Sequence, residues 1–310
     1  MAFPQVSLQL RTFTDDPGHD WSATLGLASA MDEAGIDRVV VSDHVVFGET
    51  PQAYADPSLG GIAGGRQPTG PDGQWLEPLT VLTAISATTK RIRLGTAVLL
   101  AALRRPAVLA KQVATLDVLS GGRVDLGVGV GWQREEYEAA GLPFERRGRL
   151  LDHTLEVCQT LWTQRRATLH SAELSFDGIH QMPKPVQPGG VPIWVSGTVN
   201  PAVVRRISRF GCGWIPWGAD RDRPDTAIAR MKDAIVDAGG DPSGLQVQGN
   251  AATAKRADGS LDVAATVASA PALVAAGVTD VRFTLSIPKH RGHAVDLLSE
   301  LVAAFHAVTR

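Results

Sequence analysis

Four short clusters carry side chains that could do chemistry. Ser42-Asp43-His44 closes the apolar run Val39-Val40-Val41. An imidazole there can exchange a proton near neutral pH, and a neighbouring carboxylate can fix its tautomer or raise its basicity. The same residues also read as a turn that Asp43 caps, with His44 as polar filler. Thr96-Ala97-Val98 are small residues inside the run Leu94 to Leu99. They suit a flat ligand laid against backbone, or the tapering interior of a barrel. Gly127-Val128-Gly129-Val130-Gly131-Trp132 precedes Glu135 and Glu136. Alternate glycines let a ligand approach closely, and the helix start behind them attracts anions. Ser196-Gly197-Thr198, before Pro201, and Trp217-Gly218 in the next loop can cradle a phosphate or cap a helix.

Other chemistries lack their residues. The glycine run does not have the G-x-G-x-x-G spacing of a dinucleotide fold, and neither a Walker sequence nor G-x-S-x-G occurs. His44 alone among the histidines closes a confident strand. His290 and His293 read as a solvated helix start, so no metal site is expected. Cys158 and Cys212 lack metal-type spacing and read as reduced thiols used as small hydrophobes, which fits a cytoplasmic protein.

The elements that must position these clusters alternate from end to end. Strands are expected at Val6 to Leu10, Asp37 to Ser42, Ile92 to Leu99, Val124 to Val130, Ile193 to Ser196, Trp214 to Trp217, Leu245 to Gly249 and Asp280 to Leu285. Helix-period runs separate them. The clearest begins at Pro106, repeats Leu109, Val113, Leu116 and Leu119, and stops at Ser120-Gly121-Gly122. Thr168 to Met182 reads as a small β-excursion between strands four and five. Eight βα units imply parallel strands with right-handed crossovers: an α/β class (β/α)8 TIM barrel with a short insertion, in one domain over residues 1–310. An open, doubly wound sheet is the other arrangement this alternation allows. In a barrel, working residues gather where strands end, which is where all four clusters fall. The glycine-rich stretch His44 to Gly73 is long enough to be a lid.

Charge narrows the partners. A net charge of -2 over 310 residues, with scattered arginines, offers no footprint for nucleic acid or an anionic membrane. Met1 to Leu10 has no basic start followed by an apolar run, so no secretory leader is expected. The longest apolar run, Leu94 to Leu103, is about half of what a membrane helix needs.

Longer stretches carry a family likeness. Arg93-Leu94-Gly95-Thr96-Ala97-Val98, Arg105-Pro106-Ala107-Val108-Leu109-Ala110-Lys111-Gln112 and Ala114 through Arg123 closely resemble the luciferase-like monooxygenase superfamily. So do Leu126 through Trp132 with Glu135-Glu136, Arg146-Arg147-Gly148, Pro185 through Val195, and Gly213-Trp214-Ile215-Pro216. Within it the chain is most similar to the branch that uses coenzyme F420, an 8-hydroxy-5-deazaflavin. That resemblance implies hydride transfer between F420 and a small organic substrate, in a homodimer. The alternatives are an FMN-dependent monooxygenase fed by a separate reductase, or a flavin-binding protein without turnover. It implies that His44, beside Asp43, gives or takes a proton near the ring. Thr96-Ala97-Val98 would form the bulge beneath the ring, where relatives often carry a non-proline cis peptide. Gly129, Gly131 and Trp132 would adjoin the cofactor, and Ser196-Gly197-Thr198 with Trp217-Gly218 would hold its ribityl phosphate. Two departures stand out. Trp132 occupies the place where some sugar-phosphate-oxidising relatives have a catalytic glutamate, and Cys212-Gly213-Trp214 replaces the common Asp-Gly-Trp.

Overall fold

Strands such as Arg38–Val41 and Val124–Val128 are buried at every position, so both of their faces need covering, one by the barrel interior and one by helices. The computed structural model describes residues 4–309; residues 1–3 and 310, including the start of the segment read for a leader, lie outside it. Eight parallel strands close into a barrel: β1 Gln5–Gln9, β2 Arg38–Val41, β3 Arg93–Thr96, β4 Val124–Val128, β5 Ile193–Gly197, β6 Gly211–Pro216, β7 Gln246–Asn250 and β8 Asp280–Phe283. They follow one another in chain order, and β8 returns to β1 with Val6 beside Val281. Helices form the outer layer. Pro106–Ser120 starts on a proline and stops at Gly121, whose φ of 69° suits the left-handed cap.

Several element boundaries differ from those the sequence predicts. β3 ends at Thr96 rather than Leu99, because the chain leaves the ladder at Ala97–Val98, whose peptide is cis as the resemblance implied. It rejoins only at Leu99, which bridges to Val128. The helix expected from Asp262 to Ala276 is two pieces, Val263–Val267 and Ala270–Ala275, since Pro271 has no N–H to continue the ladder. Phe13–Thr14 and Gln74–Trp75 form an antiparallel pair that joins the loops after β1 and β2. The insertion before β5 is the antiparallel hairpin Ala167–His170 and Ser175–Ile179.

Two layers matter for the site. At the N-terminal pole Arg38 donates to Asp125 at 2.8 Å and to Asp280, while Arg93 holds Asp125 through two bonds of 2.6 and 2.7 Å. At the opposite pole the lid packs as two 3-10 turns, Pro51–Ala55 and Pro57–Leu59. Gly61 lies so close beneath the first turn that an added Cβ would meet the Tyr54 carbonyl oxygen at 2.1 Å. No described helix is long and apolar enough to cross a membrane.

Candidate active site

The C-terminal strand ends and the lid enclose a cavity of about 580 Å³, a size that takes a cofactor or a drug-sized ligand. Its floor is the segment after β3. The Ala97 amide donates to Val41 O at 2.8 Å and the Leu99 amide to Gly127 O at 2.7 Å, so the floor is pinned between β2 and β4. Gly129 packs against it: a Cβ there would come 2.6 Å from Val98 Cγ2.

His44 stands in the wall beside this floor. Its Nδ1 lies 3.2 Å from Glu136 Oε1, which also accepts the Val45 amide at 2.8 Å. Its Nε2 lies 3.4 Å from the amide nitrogen of Gln67, a lid residue. A carboxylate only accepts, so the neutral imidazole carries its proton on Nδ1 and offers a lone pair at Nε2. The Gln67 amide, a donor, agrees with that tautomer. Glu136 is 1% exposed, and its Oε2 has no partner among the described residues.

The carboxylate on His44 is therefore Glu136 and not Asp43, as the dipeptide suggested. Neighbours in an extended chain point opposite ways. Asp43 Oδ2 accepts the Leu100 amide at 2.8 Å and Arg104 Nη1 at 2.6 Å, and Oδ1 takes Arg104 Nη2 at 3.1 Å. Asp43 thus lines the cavity while fixing its floor. Burial opposes the Arg104 charge, but Asp43 and Glu77 outweigh it and hold that guanidinium's proton more tightly than usual.

Ser196, Gly197, Thr198 and Trp217 line the far wall as expected, joined by Asn200, Arg147 and Arg206. Asn200 Oδ1 already accepts the amides of Ala202 and Val203 at 3.0 and 3.1 Å. The start of helix Pro201–Phe210 is therefore capped, and an anion here would rely on the hydroxyls and Arg147. Arg147 donates to the carbonyls of Phe144 and Leu59 at 3.2 and 3.4 Å and stacks over Phe144 at 4.0 Å. Its buried Nε has no partner among the described residues, and burial weakens its hold on the proton. Trp217 Nε1 donates to Gly60 O at 2.9 Å, tying the lid to β6.

Gly131 and Trp132 line the cavity beside Gly129. Two expected residues do not. Thr96 is buried within the barrel beneath the floor, its hydroxyl donating to Gly127 O at 2.7 Å. Gly218 caps the short helix Ala219–Asp222 behind the wall. Trp132 stacks edge-on to Tyr54 at 5.5 Å, and its buried Nε1 has no partner among the described residues. Glu136, Arg147, Arg206 and Gln67 are among the lining or supporting residues that sequence reasoning left without a role. The stretch Arg146-Arg147-Gly148 in the family-like run was the one signal for Arg147. Burial pushes the Cys212 thiol up to about 11 and the Cys158 thiol higher, so neither is a nucleophile near neutral pH.

A closed eight-stranded parallel barrel with its cavity at the strand ends, and a histidine held there on a buried carboxylate, defines a TIM barrel with a candidate active site where such barrels carry theirs. More narrowly, the chain belongs to the luciferase-like monooxygenase family, whose model matches residues 5–268. An uncharacterised protein of Mycobacterium tuberculosis is 36% identical over 234 residues, 74% of this chain and 78% of that protein. The F420-dependent glucose-6-phosphate dehydrogenase of Nakamurella multipartita is 30% identical over 218 residues, 69% of this chain and 58% of that enzyme. Among solved structures, an F420-dependent secondary alcohol dehydrogenase with an F420-acetone adduct matches with a TM-score of 0.75 at 18% identity, covering 98% of this chain and 99% of that one. The oxygenating constituent of a Pseudomonas putida Baeyer-Villiger monooxygenase, in complex with FMN, matches with a TM-score of 0.71 at 15% identity, covering 97% of each chain. The same barrel fold thus houses an FMN enzyme and F420-dependent enzymes among its neighbours.

Proposed function

We propose that this chain is an oxidoreductase that transfers a hydride between coenzyme F420 and a small organic substrate. One observation carries the reading: His44 borders the cavity floor with Nδ1 committed to Glu136 and an Nε2 lone pair that meets only the lid amide of Gln67, at 3.4 Å, a contact a substrate hydroxyl would replace. The residues fit a deazaflavin. Ala97, Val98, Gly129 and Gly131 give a flat surface that a side chain at 129 would spoil, and Ser196, Thr198, Arg147 and Trp217 offer a phosphate wall. When bound, the deazaflavin supplies two-electron hydride chemistry, because carbon at its reactive position disfavours radical and oxygen steps. His44 would take the substrate's hydroxyl proton at Nε2 on oxidation and return it on reduction. Asp43 would hold the floor in place through Leu100 and Arg104. The lid would exclude water. Trp132 has no proton to exchange near neutral pH, so His44 would act without a second acid.

Fluorescence titration of the apoprotein with F420 and FMN tests the reading. Tighter binding of F420 is expected, as the 30% identical dehydrogenase favours. A clear preference for FMN would support the second reading, a monooxygenase fed by a separate reductase, which the FMN-bound structural neighbour favours. Binding without turnover over a broad substrate panel would leave a flavin-binding protein. The family resemblance supports assembly as a homodimer; sedimentation as a monomer at micromolar concentration would exclude it.

A further inference from the structure

The arginines around the cavity divide by whether they have a counter-charge. Arg104 pairs with Asp43 and Arg206 with Asp152. Arg282, in β8, forms no ion pair among the described residues. Its Nε donates to Asn250 Oδ1 at 3.1 Å, and neither terminal nitrogen has a hydrogen-bond partner among the described residues. The side chain borders the cavity and also the small void beneath its floor. Burial pushes its pKa down to about 10, with Arg221 adding to the push. The residue is half-buried, and a guanidinium partly withdrawn from water without a counter-charge gains when a ligand supplies one. Its planar fork matches two oxygens of a carboxylate or a phosphate.

Position separates this arginine from the phosphate wall. In the barrel β8 lies beside β1, which lies beside β2, and Ser7 of β1 is directly across from Arg282. Arg282 is thus two strands from the end that carries His44 and three from β5. We propose that Arg282 is an anion-binding subsite that takes a carboxylate or phosphate group of the substrate and so directs its other end toward His44. The role assigned to the bound substrate rests on the redox reading above; the anion site does not.

Phosphate and acetate, titrated into the apoprotein and into the F420-loaded protein, test it through the fluorescence of the cavity residues Trp75, Trp132 and Trp217. Saturable binding in both forms is expected, weakened about tenfold or more in Arg282→Met and largely kept in Arg282→Lys. The tighter of the two probes identifies the anion class. Should Arg282→Met not fold by circular dichroism, Arg282→Gln is the replacement, since its amide can still donate to Asn250. Unchanged affinity in the neutral variant would overturn the subsite. So would binding that saturating F420 abolishes, because the arginine would then serve the cofactor. Failure of F420 to bind at all would sink the redox reading and leave the apoprotein arm to decide on the anion site.

Discussion

At the N-terminal pole of the barrel Arg38 and Arg93 converge on Asp125, and Arg38 reaches Asp280 as well. At the C-terminal mouth Arg147 and Arg282 meet no carboxylate within ion-pair distance among the described residues. Both settings remove a guanidinium from bulk water, yet they close the charge differently. The lower network pairs each of its charges within the protein and joins β2, β3, β4 and β8, although Asp280 Oδ1 has no partner among the described residues. The upper pair is left for something that enters. A buried ion pair is weak evidence of net stabilisation, but losing one member strands the other at high cost. At these two poles the paired arginines therefore point to architecture, and Arg147 and Arg282 point to ligands; a buried arginine such as Arg123 shows the third case, satisfied by hydroxyl and carbonyl oxygens alone.

Four measurements can break or sharpen that contrast. The largest effect is expected at the mouth. His44→Ala and His44→Gln should each lower kcat by about 10²–10⁴-fold, while F420 affinity stays near that of the wild type. A fully active His44→Gln enzyme would show that the imidazole only shapes the cavity. At the other pole, Arg38→Met should cost about 3–5 kcal/mol in urea unfolding, since Asp125 and Asp280 lose a buried partner. Its kcat per folded molecule should hold; a loss under about 1 kcal/mol, the level of a surface pair, would remove the architectural reading.

Glu136→Gln comes next. The amide can still accept from Val45 but no longer attracts the Nδ1 proton as a carboxylate does. A fall in kcat of about tenfold is expected, the scale of one charge-assisted hydrogen bond, with F420 affinity unchanged. Nitrogen-15 NMR of the imidazole should show Nδ1–H in the wild type and a mixed tautomer in the variant. Equal spectra would mean that Glu136 does not set the tautomer. The smallest effect concerns acid. Burial alone would raise the Asp125 carboxyl, but Arg38 and Arg93 prevail and hold it below its ordinary 3.8. The stability from this depressed group is complete above pH 3.8 and is lost as pH falls through the lower folded value. Melting temperatures at pH 5, 4 and 3 should fall more steeply for the wild type than for Asp125→Asn below that point; parallel curves would contradict the assignment.

Much of the barrel was legible because its signals are local. The all-buried valines of β2, the proline and glycine bracketing Pro106–Ser120, and the run around Gly127 to Gly131 each declare themselves within a few residues. The place of His44 followed from the rule that barrels work at strand ends. What the sequence hid depends on distant pairings. Glu136 meets His44 across 92 positions, while the adjacent Asp43 offered a false partner. The pair Phe13–Thr14 with Gln74–Trp75 is two residues long on each side, too short for any periodicity. Arg282 reads as a polar residue between the apolar Val281 and Phe283, and only the closed ring of strands shows what it lacks.

The close fit of Gly61 under Tyr54 bears on how this protein tolerates change over generations. By composition the stretch from His44 to Gly73 looks like spacer, the kind of segment in which substitutions drift freely. Yet even a methyl group at 61 would collide with main-chain oxygen at 2.1 Å, which no rotamer shift can relieve. In a saturation library the sites depleted of variants should therefore include this glycine alongside the interior valines. Exposed lid positions such as Glu49 should accept most replacements. A map of permitted residues would then trace the outline of a packed element through sequence that looks featureless.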